Sequence, residues 1–207
     1  MSPAGAATVL FLGDSFVAGR GDPTGLGWTT RLVADARGAD LTAYPLGVRG
    51  NTSADVLARW EQETAARLPR AGRTGLVVSF GVNDAIDGDD GRRRVDLDGT
   101  VANLRALLAG AAVAGHAVLV VGPPPVADEG VNARVAEVDA RLRGEAAACG
   151  VPAVGVLDAL LAGGPWMAQV RAGDGAHPGA EGYASLAELV RPAWRTWLAA
   201  LAAPRAT

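Results

Sequence analysis

Short runs of consecutive apolar residues alternate along this chain with longer segments in which apolar residues recur at helical spacing. The runs lie at residues 8–12, 41–46, 76–80, 117–121 and 151–156, and Pro152 interrupts the last of them. Runs that are apolar at every position, rather than at every second one, indicate strands buried on both faces of a parallel sheet. This feature restricts the fold strongly, because parallel strands need a long crossover between them.

The segments between the runs predict helices at residues 52–68, 101–114, 131–146 and 179–202. In the first of these, Thr52 is a candidate N-cap, and Asp55 completes a capping-box pattern. Pro192 is expected to kink or split the last helix. The alternation predicts a three-layer α/β/α domain with right-handed crossovers. Nothing resembling a linker or repeat divides the chain, so we expect residues 1–207 to form one domain, with a loose tail at about 203–207.

The composition argues against several classes of function. All 19 basic residues are arginine, so no lysine is available for a Schiff base or for a Walker-type phosphate loop. A formal net charge of -3 argues against nucleic-acid binding, which requires a basic face. With two histidines and one cysteine the chain is poor in zinc ligands, so we expect no metal and no cofactor.

The amino-terminal apolar run has neither the preceding basic segment nor the cleavage pattern of a signal peptide. No stretch of about 18 uncharged apolar residues occurs, so no membrane span is expected. We therefore expect a soluble, cytoplasmic protein.

Polar residues that can carry acyl-transfer chemistry follow several of the predicted strands. Ser15 follows the first strand, Gly50 the second and Asn83 the third, whereas Asp174 and His177 lie in a loop after the fifth. In open parallel sheets the functional loops lie beyond the carboxyl ends of the strands. The sequence therefore predicts that these residues meet at one edge of the sheet.

A serine hydroxyl is a weak nucleophile and needs an adjacent base. The two candidate bases are His116, which precedes the fourth strand at the opposite end of the sheet, and His177. Asp174 lies three residues before His177, a spacing that lets its carboxylate orient the imidazole ring. From these residues alone, another interpretation stays open, in which Asp174 is an ordinary loop acid and His177 begins a helix. We assign His116 a structural role.

A tetrahedral intermediate also needs hydrogen-bond donors for its oxyanion. The candidates are the Asn83 side-chain amide, the Gly50 backbone N–H, which no side chain obstructs, and the Ser15 backbone N–H. Glycine and asparagine are also common turn residues, so each candidate alone is weak.

Four segments, in this order, resemble the sequence blocks of the SGNH hydrolase family of GDS-type (GDSL) esterases and lipases. They are Gly13-Asp14-Ser15, the stretch around Gly50, Gly81-Val82-Asn83-Asp84 and Asp174-Gly175-Ala176-His177. They extend from residue 13 to residue 177. The resemblance implies a flavodoxin-like fold with a five-stranded parallel sheet. It implies Ser15 as nucleophile, His177 as general base and then acid, and Asp174 as its orienting partner. It also implies an oxyanion hole built from Ser15, Gly50 and Asn83.

Three apolar residues near these blocks are candidate substrate contacts. Phe16 stands where the family's namesake pattern has leucine, and Trp166 and Met167 precede the triad loop. Trp166 and Met167 are equally compatible with a place in the core. The glycine that ends the Gly-x-Ser-x-Gly motif of common α/β-hydrolases is absent, because Val17 occupies that position.

The resemblance implies a cofactor-independent serine esterase that acts on small ester substrates. We expect short or medium acyl chains, because nothing in this compact chain suggests a large lipid-binding lid. A carbohydrate O-deacetylase, a thioesterase and a lysophospholipase of the same family remain alternatives, as does an inactive binding module. A flavin binder is disfavoured because the Asp14 carboxylate would repel a phosphate group. We expect Asp14 and Asp84 to hold loops by accepting backbone N–H groups. The oligomeric state is not encoded in any pattern that we recognise.

Overall fold

A computed structural model describes residues 6–36, 39–68 and 72–203. Most of the predicted loose tail, from residue 204 onward, lies outside the described residues. The helices and strands given below belong to this described part of the chain.

The core of the fold is a sheet of five parallel strands in the order β2-β1-β3-β4-β5. This order is that of the flavodoxin-like doubly wound fold, with β1 between β2 and β3. The predicted three-layer α/β fold with a five-stranded parallel sheet is therefore confirmed. The strands are β1 (Ala7–Gly13), β2 (Leu41–Gly47), β3 (Arg73–Ser79), β4 (Ala117–Val121) and β5 (Ala153–Val154).

Helices cover both faces of the sheet. Two main hydrophobic clusters result, one in which α1, α7 and α8 pack on the sheet and one in which α2, α4 and α5 pack on the other face. Successive residues of β1 show why its apolar run is continuous, because Phe11 belongs to the first cluster and Leu10 and Leu12 to the second. The helices are α1 (Gly27–Asp35), α2 (Ser53–Arg67), α3 (Val82–Ala85), α4 (Leu97–Val113), α5 (Glu129–Ala148), α6 (Leu157–Leu161), α7 (Pro165–Ala172) and α8 (Ala180–Ala202).

The predicted capping box at the start of α2 is confirmed. The Thr52 side chain accepts a hydrogen bond from the Asp55 N–H, and the Asp55 carboxylate accepts one from the Thr52 N–H at 2.8 Å. This cap fixes the point where the chain leaves the loop after β2 and enters the helix. The loop that carries Gly50 thus ends in a defined place.

Of the two expected effects of Pro192, a split of the last helix does not occur, because α8 runs unbroken from Ala180 to Ala202, whereas a kink stays a prediction. Its buried residues before the proline, such as Tyr183, and after it, such as Trp194, belong to the same hydrophobic cluster. Packing of this continuous apolar face outweighs the loss of one helical hydrogen bond.

Candidate active site

A tight turn after β1 holds Ser15 at the carboxyl edge of the sheet. Gly13 ends the strand, and a Cβ atom there would overlap the carbonyl oxygen of Ser79 on β3. The turn is closed by hydrogen bonds to Asp14, whose carboxylate accepts the Phe16 N–H at 2.9 Å and whose carbonyl accepts the Ala18 N–H at 3.1 Å. The backbone around Ser15 is therefore held from both sides.

The structure brings Ser15, His177 and Asp174 into one hydrogen-bonded chain. The distance from Ser15 Oγ to His177 Nε2 is 2.8 Å, and that from His177 Nδ1 to Asp174 Oδ2 is 2.9 Å. Because an ionised carboxylate can only accept hydrogen bonds, Nδ1 of the neutral imidazole carries the proton. Nε2 is then the acceptor that faces the serine hydroxyl, as a general base requires.

The loop that carries Asp174 also fixes the direction of its carboxylate. Asp174 Oδ1 accepts the backbone N–H groups of His177 at 2.8 Å and of Ala176 at 3.0 Å, which leaves Oδ2 for the imidazole. The hydrogen bond from the His177 backbone holds the pKa of Asp174 well below its usual range. Desolvation acts in the opposite direction, whereas the His177 side chain and the Ala176 N–H lower the pKa further. The carboxylate therefore stays negative and stabilises a positive charge on the imidazole.

Arg20 lies beside the triad, although the sequence analysis did not identify it. Its guanidinium nitrogen is 3.5 Å from Asp174 Oδ2, and its backbone carbonyl accepts the Tyr183 hydroxyl at 2.7 Å. Arg20 and Asp174 are 154 positions apart, so no local pattern reveals the contact. The Tyr183 hydrogen bond ties the segment after Ser15 to α8, the helix that follows the His177 loop.

The candidate oxyanion donor Gly50 lies in the loop after β2, and Asn83 lies in the short helix α3 after β3. The Asn83 side-chain nitrogen donates to the Asn51 carbonyl at 2.9 Å and lies 3.4 Å from Asp14 Oδ2. Gly50 is exposed and has a φ of 76°, a left-handed conformation that favours glycine. Because Asn51 directly follows Gly50, the hydrogen bond from Asn83 joins the two candidate donor segments.

Arg59 of α2 also forms hydrogen bonds to this region, and the sequence analysis did not identify it either. Its guanidinium donates to the side-chain oxygen of Asn51 at 2.8 Å and to the carbonyl of Gly13 at 2.9 Å. A further hydrogen bond of 2.8 Å reaches the carbonyl of Leu46 on β2. One side chain thus links the ends of two strands to the loop that carries Gly50.

Asp84 is buried behind the site, where it accepts a backbone N–H, as expected, and two side-chain hydroxyl groups. Its carboxylate accepts the Ser53 N–H at 2.9 Å, the Ser53 hydroxyl and the Thr100 hydroxyl at 2.9 Å. Burial nevertheless raises the pKa of Asp84, because a charged carboxylate loses its hydration there. The carboxylate links α3 to the first turns of α2 and α4.

Asp14 is also buried, and its carboxylate accepts fewer hydrogen bonds than that of Asp84. Desolvation by burial raises the pKa of Asp14 to about 7, against the opposing effect of the Phe16 N–H and with a further contribution from the charge of Asp84. The expected contact with a backbone N–H is present, since Asp14 accepts from Phe16. Both acids of the sequence blocks therefore hold loops in this structure.

The candidate substrate contacts Phe16, Trp166 and Met167 are all buried in the first hydrophobic cluster. The Phe16 ring lies between two others, with its centroid 5.0 Å from the ring of His177 and 6.0 Å from that of Trp166. The Trp166 indole N–H donates to the Pro125 carbonyl at 2.9 Å. These contacts support His177 from one side, and direct substrate contact by the three side chains stays a prediction.

His116 lies at the amino-terminal end of β4, far along the strand from the Ser15 edge. Its Nδ1 atom is 2.7 Å from the hydroxyl of Thr74 on β3. Burial lowers the pKa of His116, which favours its neutral form. These contacts agree with the structural role that its position before the strand indicates.

Within the part of the chain that the structure describes, no helix is long and apolar enough to cross a membrane. The same residues contain no group of three or more histidine, cysteine or acidic side chains placed to hold a metal ion. The cytoplasmic location and the absence of a cofactor stay predictions.

The fold resembles several solved structures. An acetylxylan esterase from Geobacillus stearothermophilus superimposes with a TM-score of 0.76 at 20% identity, over 92% of this chain and 96% of that one. The lipase/acylhydrolase from Enterococcus faecalis has a TM-score of 0.70 at 24% identity, over 97% of this chain and 100% of that one. A member of the lipolytic protein G-D-S-L family from Veillonella parvula DSM 2008 has a TM-score of 0.70 at 20% identity, over 89% and 96% of the two chains.

At these identities the structural likeness establishes the fold alone. No curated protein sequence is significantly similar to the chain. The family model of GDSL-like lipases and acylhydrolases, by contrast, matches residues 11–185, a range that contains all four sequence blocks. The chain therefore belongs to the GDSL-like lipase/acylhydrolase family, a family of carboxylic ester hydrolases.

Proposed function

We propose that this protein is a serine esterase in which Ser15 forms an acyl-enzyme, His177 transfers the protons and Asp174 orients His177. The observation that carries the proposal is the unbroken hydrogen-bonded chain from Ser15 Oγ through both imidazole nitrogens to Asp174 Oδ2, with distances of 2.8 and 2.9 Å. Nucleophile, base and orienting acid are thus within the reach that acyl transfer requires.

In the acylation step, Ser15 Oγ attacks the ester carbonyl carbon while its proton moves to His177 Nε2. The imidazolium that forms lies against the negative Asp174 carboxylate, which stabilises it. When the tetrahedral intermediate collapses, the bond to the alcohol oxygen breaks and His177 gives its proton to the leaving alcohol. The product is an acyl-enzyme on Ser15 together with the free alcohol.

Deacylation repeats these steps with water as the nucleophile. His177 accepts a proton from water, and the hydroxide attacks the acyl carbon. Collapse of the second intermediate breaks the bond to Ser15 Oγ, which regains its proton from His177. In both steps the oxyanion would be bound by the N–H groups of Ser15 and Gly50 and by the Asn83 amide.

Catalytic mutants of the G. stearothermophilus acetylxylan esterase support the assignment of the triad. They alter a serine, a histidine and an aspartate three positions before the histidine. Asp174 and His177 have the same spacing here. The likeness is one of residue type and order, on a shared fold.

We propose short- to medium-chain carboxylic esters as substrates. The packing around Ser15 supports this choice, because Phe16 and Val17 are buried and Ser15 itself is 6% exposed, so that a small acyl group would reach the hydroxyl with the least displacement of its neighbours. A carbohydrate O-deacetylase is the second candidate, since one structural neighbour is an acetylxylan esterase. Acetyl is the smallest acyl group that either candidate would transfer.

The test is hydrolysis of p-nitrophenyl esters, from acetate to long acyl chains, and of acetylated xylo-oligosaccharides. Wild type is compared with Ser15→Ala and with Ser185→Ala, a matched control at a helix-surface hydroxyl that bonds the Glu181 carbonyl. We expect the hydrolysis rate of Ser15→Ala to fall roughly a thousandfold or more, whereas Ser185→Ala keeps the wild-type rate.

Other results would change the assignment. Equal activity in wild type and Ser15→Ala would show that Ser15 is not the nucleophile. If wild type and Ser15→Ala are both inactive toward every ester of the series, a thioesterase, a lysophospholipase or an inactive binding module is favoured. Assays with thioester and lysophospholipid substrates distinguish these three. The chain-length profile of an active wild type, compared with its rate on the acetylated sugar, decides between the two candidate substrates.

A further inference from the structure

The side chain of Arg59 joins more segments of the site than any residue of the triad does. It is 18% exposed, lies on α2 and donates to Gly13 at the end of β1, to Leu46 near the end of β2 and to Asn51 in the following loop. Its remaining nitrogen is 3.3 Å from Glu63, which balances the charge. A planar guanidinium can make these bonds at once because its N–H groups point in fixed directions.

Asn51 connects this guanidinium to the proposed oxyanion donors. The Asn51 side-chain oxygen accepts from Arg59 at 2.8 Å, and its backbone carbonyl accepts from the Asn83 amide at 2.9 Å. Gly50 precedes Asn51 directly, so the peptide between them belongs to the loop that both bonds hold. Two hydrogen bonds thus link α2 through Asn51 to Asn83, and the peptide bond links Asn51 to Gly50.

Packing alone does not hold this loop. Gly50 is exposed, and a Cβ atom built on it would meet no other atom within 4 Å. The loop therefore depends on hydrogen bonds for its position. The Thr52 cap fixes its end, and the charged donor Arg59 anchors Asn51 directly after Gly50.

We propose that Arg59 and Asn51 are positioning residues for the oxyanion hole, which aim the Gly50 N–H and the Asn83 amide at the same point. This inference rests on the proposed function, because it takes Gly50 and Asn83 as the oxyanion donors. Neither residue contacts the reacting atoms. Arg59 acts through Asn51, and Asn51 acts through its neighbour Gly50 and through the hydrogen bond that it accepts from Asn83.

The test measures how strongly the enzyme prefers an ester over its thionoester, in which sulfur replaces the carbonyl oxygen. Sulfur is a weak hydrogen-bond acceptor, so the ratio of kcat/KM for p-nitrophenyl acetate to that for its thionoester reports the strength of oxyanion binding. A loss of folded protein lowers both rates equally and leaves the ratio unchanged. The variants are Arg59→Lys and Asn51→Leu.

The matched control is Arg67→Lys. Arg67 lies on the same helix as Arg59 and also bonds Glu63, but its hydrogen bonds go to the Glu63 carboxylate and carbonyl rather than to the loop. Asn83→Ala is the reference for a donor removed outright, which in other serine hydrolases costs roughly a hundredfold to a thousandfold in kcat.

We expect Arg59→Lys and Asn51→Leu to lower the ester-to-thionoester ratio by roughly tenfold, as a partial loss of the donor effect, with kcat reduced and KM little changed. The control is expected to keep the wild-type ratio. Slower variants with an unchanged ratio would overturn the proposal, and so would an equal fall in Arg67→Lys. If Arg59→Lys does not fold, Asn51→Leu decides by the same criterion.

Failure of this inference differs from failure of the proposed function. If Ser15→Ala is as active as wild type, the proposed function itself is wrong. If Ser15→Ala is inactive and Asn83→Ala lowers the ratio, while Arg59→Lys and Asn51→Leu do not, the triad stands and only the positioning role is refuted.

Discussion

The buried carboxyl of Asp14 should make the stability of the protein depend on pH near neutrality. Burial raises the pKa of Asp14 in the folded protein to about 7, whereas in the unfolded chain it is close to the ordinary 3.8. Between these values the folded state binds a proton that the unfolded state does not. Stability from this group is therefore present at low pH and is lost as the pH rises toward 7.

The size of the effect follows from the two pKa values. Proton linkage predicts that the free energy of unfolding falls by about 2.5 kcal/mol between about pH 5 and about pH 8 on account of Asp14 alone. Replacement of the carboxyl by an amide, in Asp14→Asn, keeps a side-chain oxygen for the Phe16 N–H but removes the ionisation. The free energy of unfolding of the variant, relative to that of wild type, is thus expected to rise by this amount between about pH 5 and about pH 8.

The assay is urea unfolding, followed by tryptophan fluorescence, of wild type and Asp14→Asn at several pH values in this range. Asp98→Asn is the control, because it makes the same chemical change at a carboxylate whose side chain is 89% exposed. A difference between wild type and Asp14→Asn that stays constant from about pH 5 to about pH 8 would refute the reasoning, since it would mean that Asp14 ionises alike in the folded and unfolded states.

Three further predictions concern folding. Asp84→Asn should lower the melting temperature more than it lowers the rate per folded molecule, because the carboxylate bonds the first turns of α2 and α4. Unchanged melting with a large rate loss would contradict this. Gly13→Ala should cost about 3 kcal/mol or more by urea unfolding, because the new methyl group meets the Ser79 carbonyl, and near-wild-type stability would disprove it. Gly144→Ala lies within α5, where an added Cβ atom meets no other atom within 4 Å, so it should stabilise the protein by roughly 0.5–1 kcal/mol in the same assay. A loss of stability would contradict the open space there.

The sheet could be predicted from the sequence because a strand that is buried on both faces must be apolar at every position. The fourth run, residues 117–121, coincides with β4. The fifth run, residues 151–156, is longer than β5, which has only two residues and begins directly after Pro152. Pro152 has no N–H to donate, and it contributes to the edge through its carbonyl, which accepts the Val120 N–H at 3.0 Å.

The candidate triad and oxyanion residues could be predicted because the rule about carboxyl ends of parallel strands is independent of loop detail. Arg20, Arg59 and Asn51 could not, because their contacts join positions far apart in the chain and leave no local spacing. Trp166 illustrates a different limit. A large apolar residue before a site loop is compatible with either a pocket or a core, and only its observed burial among other rings separates these.

The hydrogen bond between Ser15 and His177 spans 162 positions of the chain. At synthesis rates of roughly 5–20 residues per second, the serine leaves the ribosome about ten seconds or more before the histidine. During that time a growing chain carries the hydroxyl without its base, so the serine keeps its ordinary low reactivity toward esters. The nucleophile thus gains its base only after the histidine loop has been synthesised and has folded.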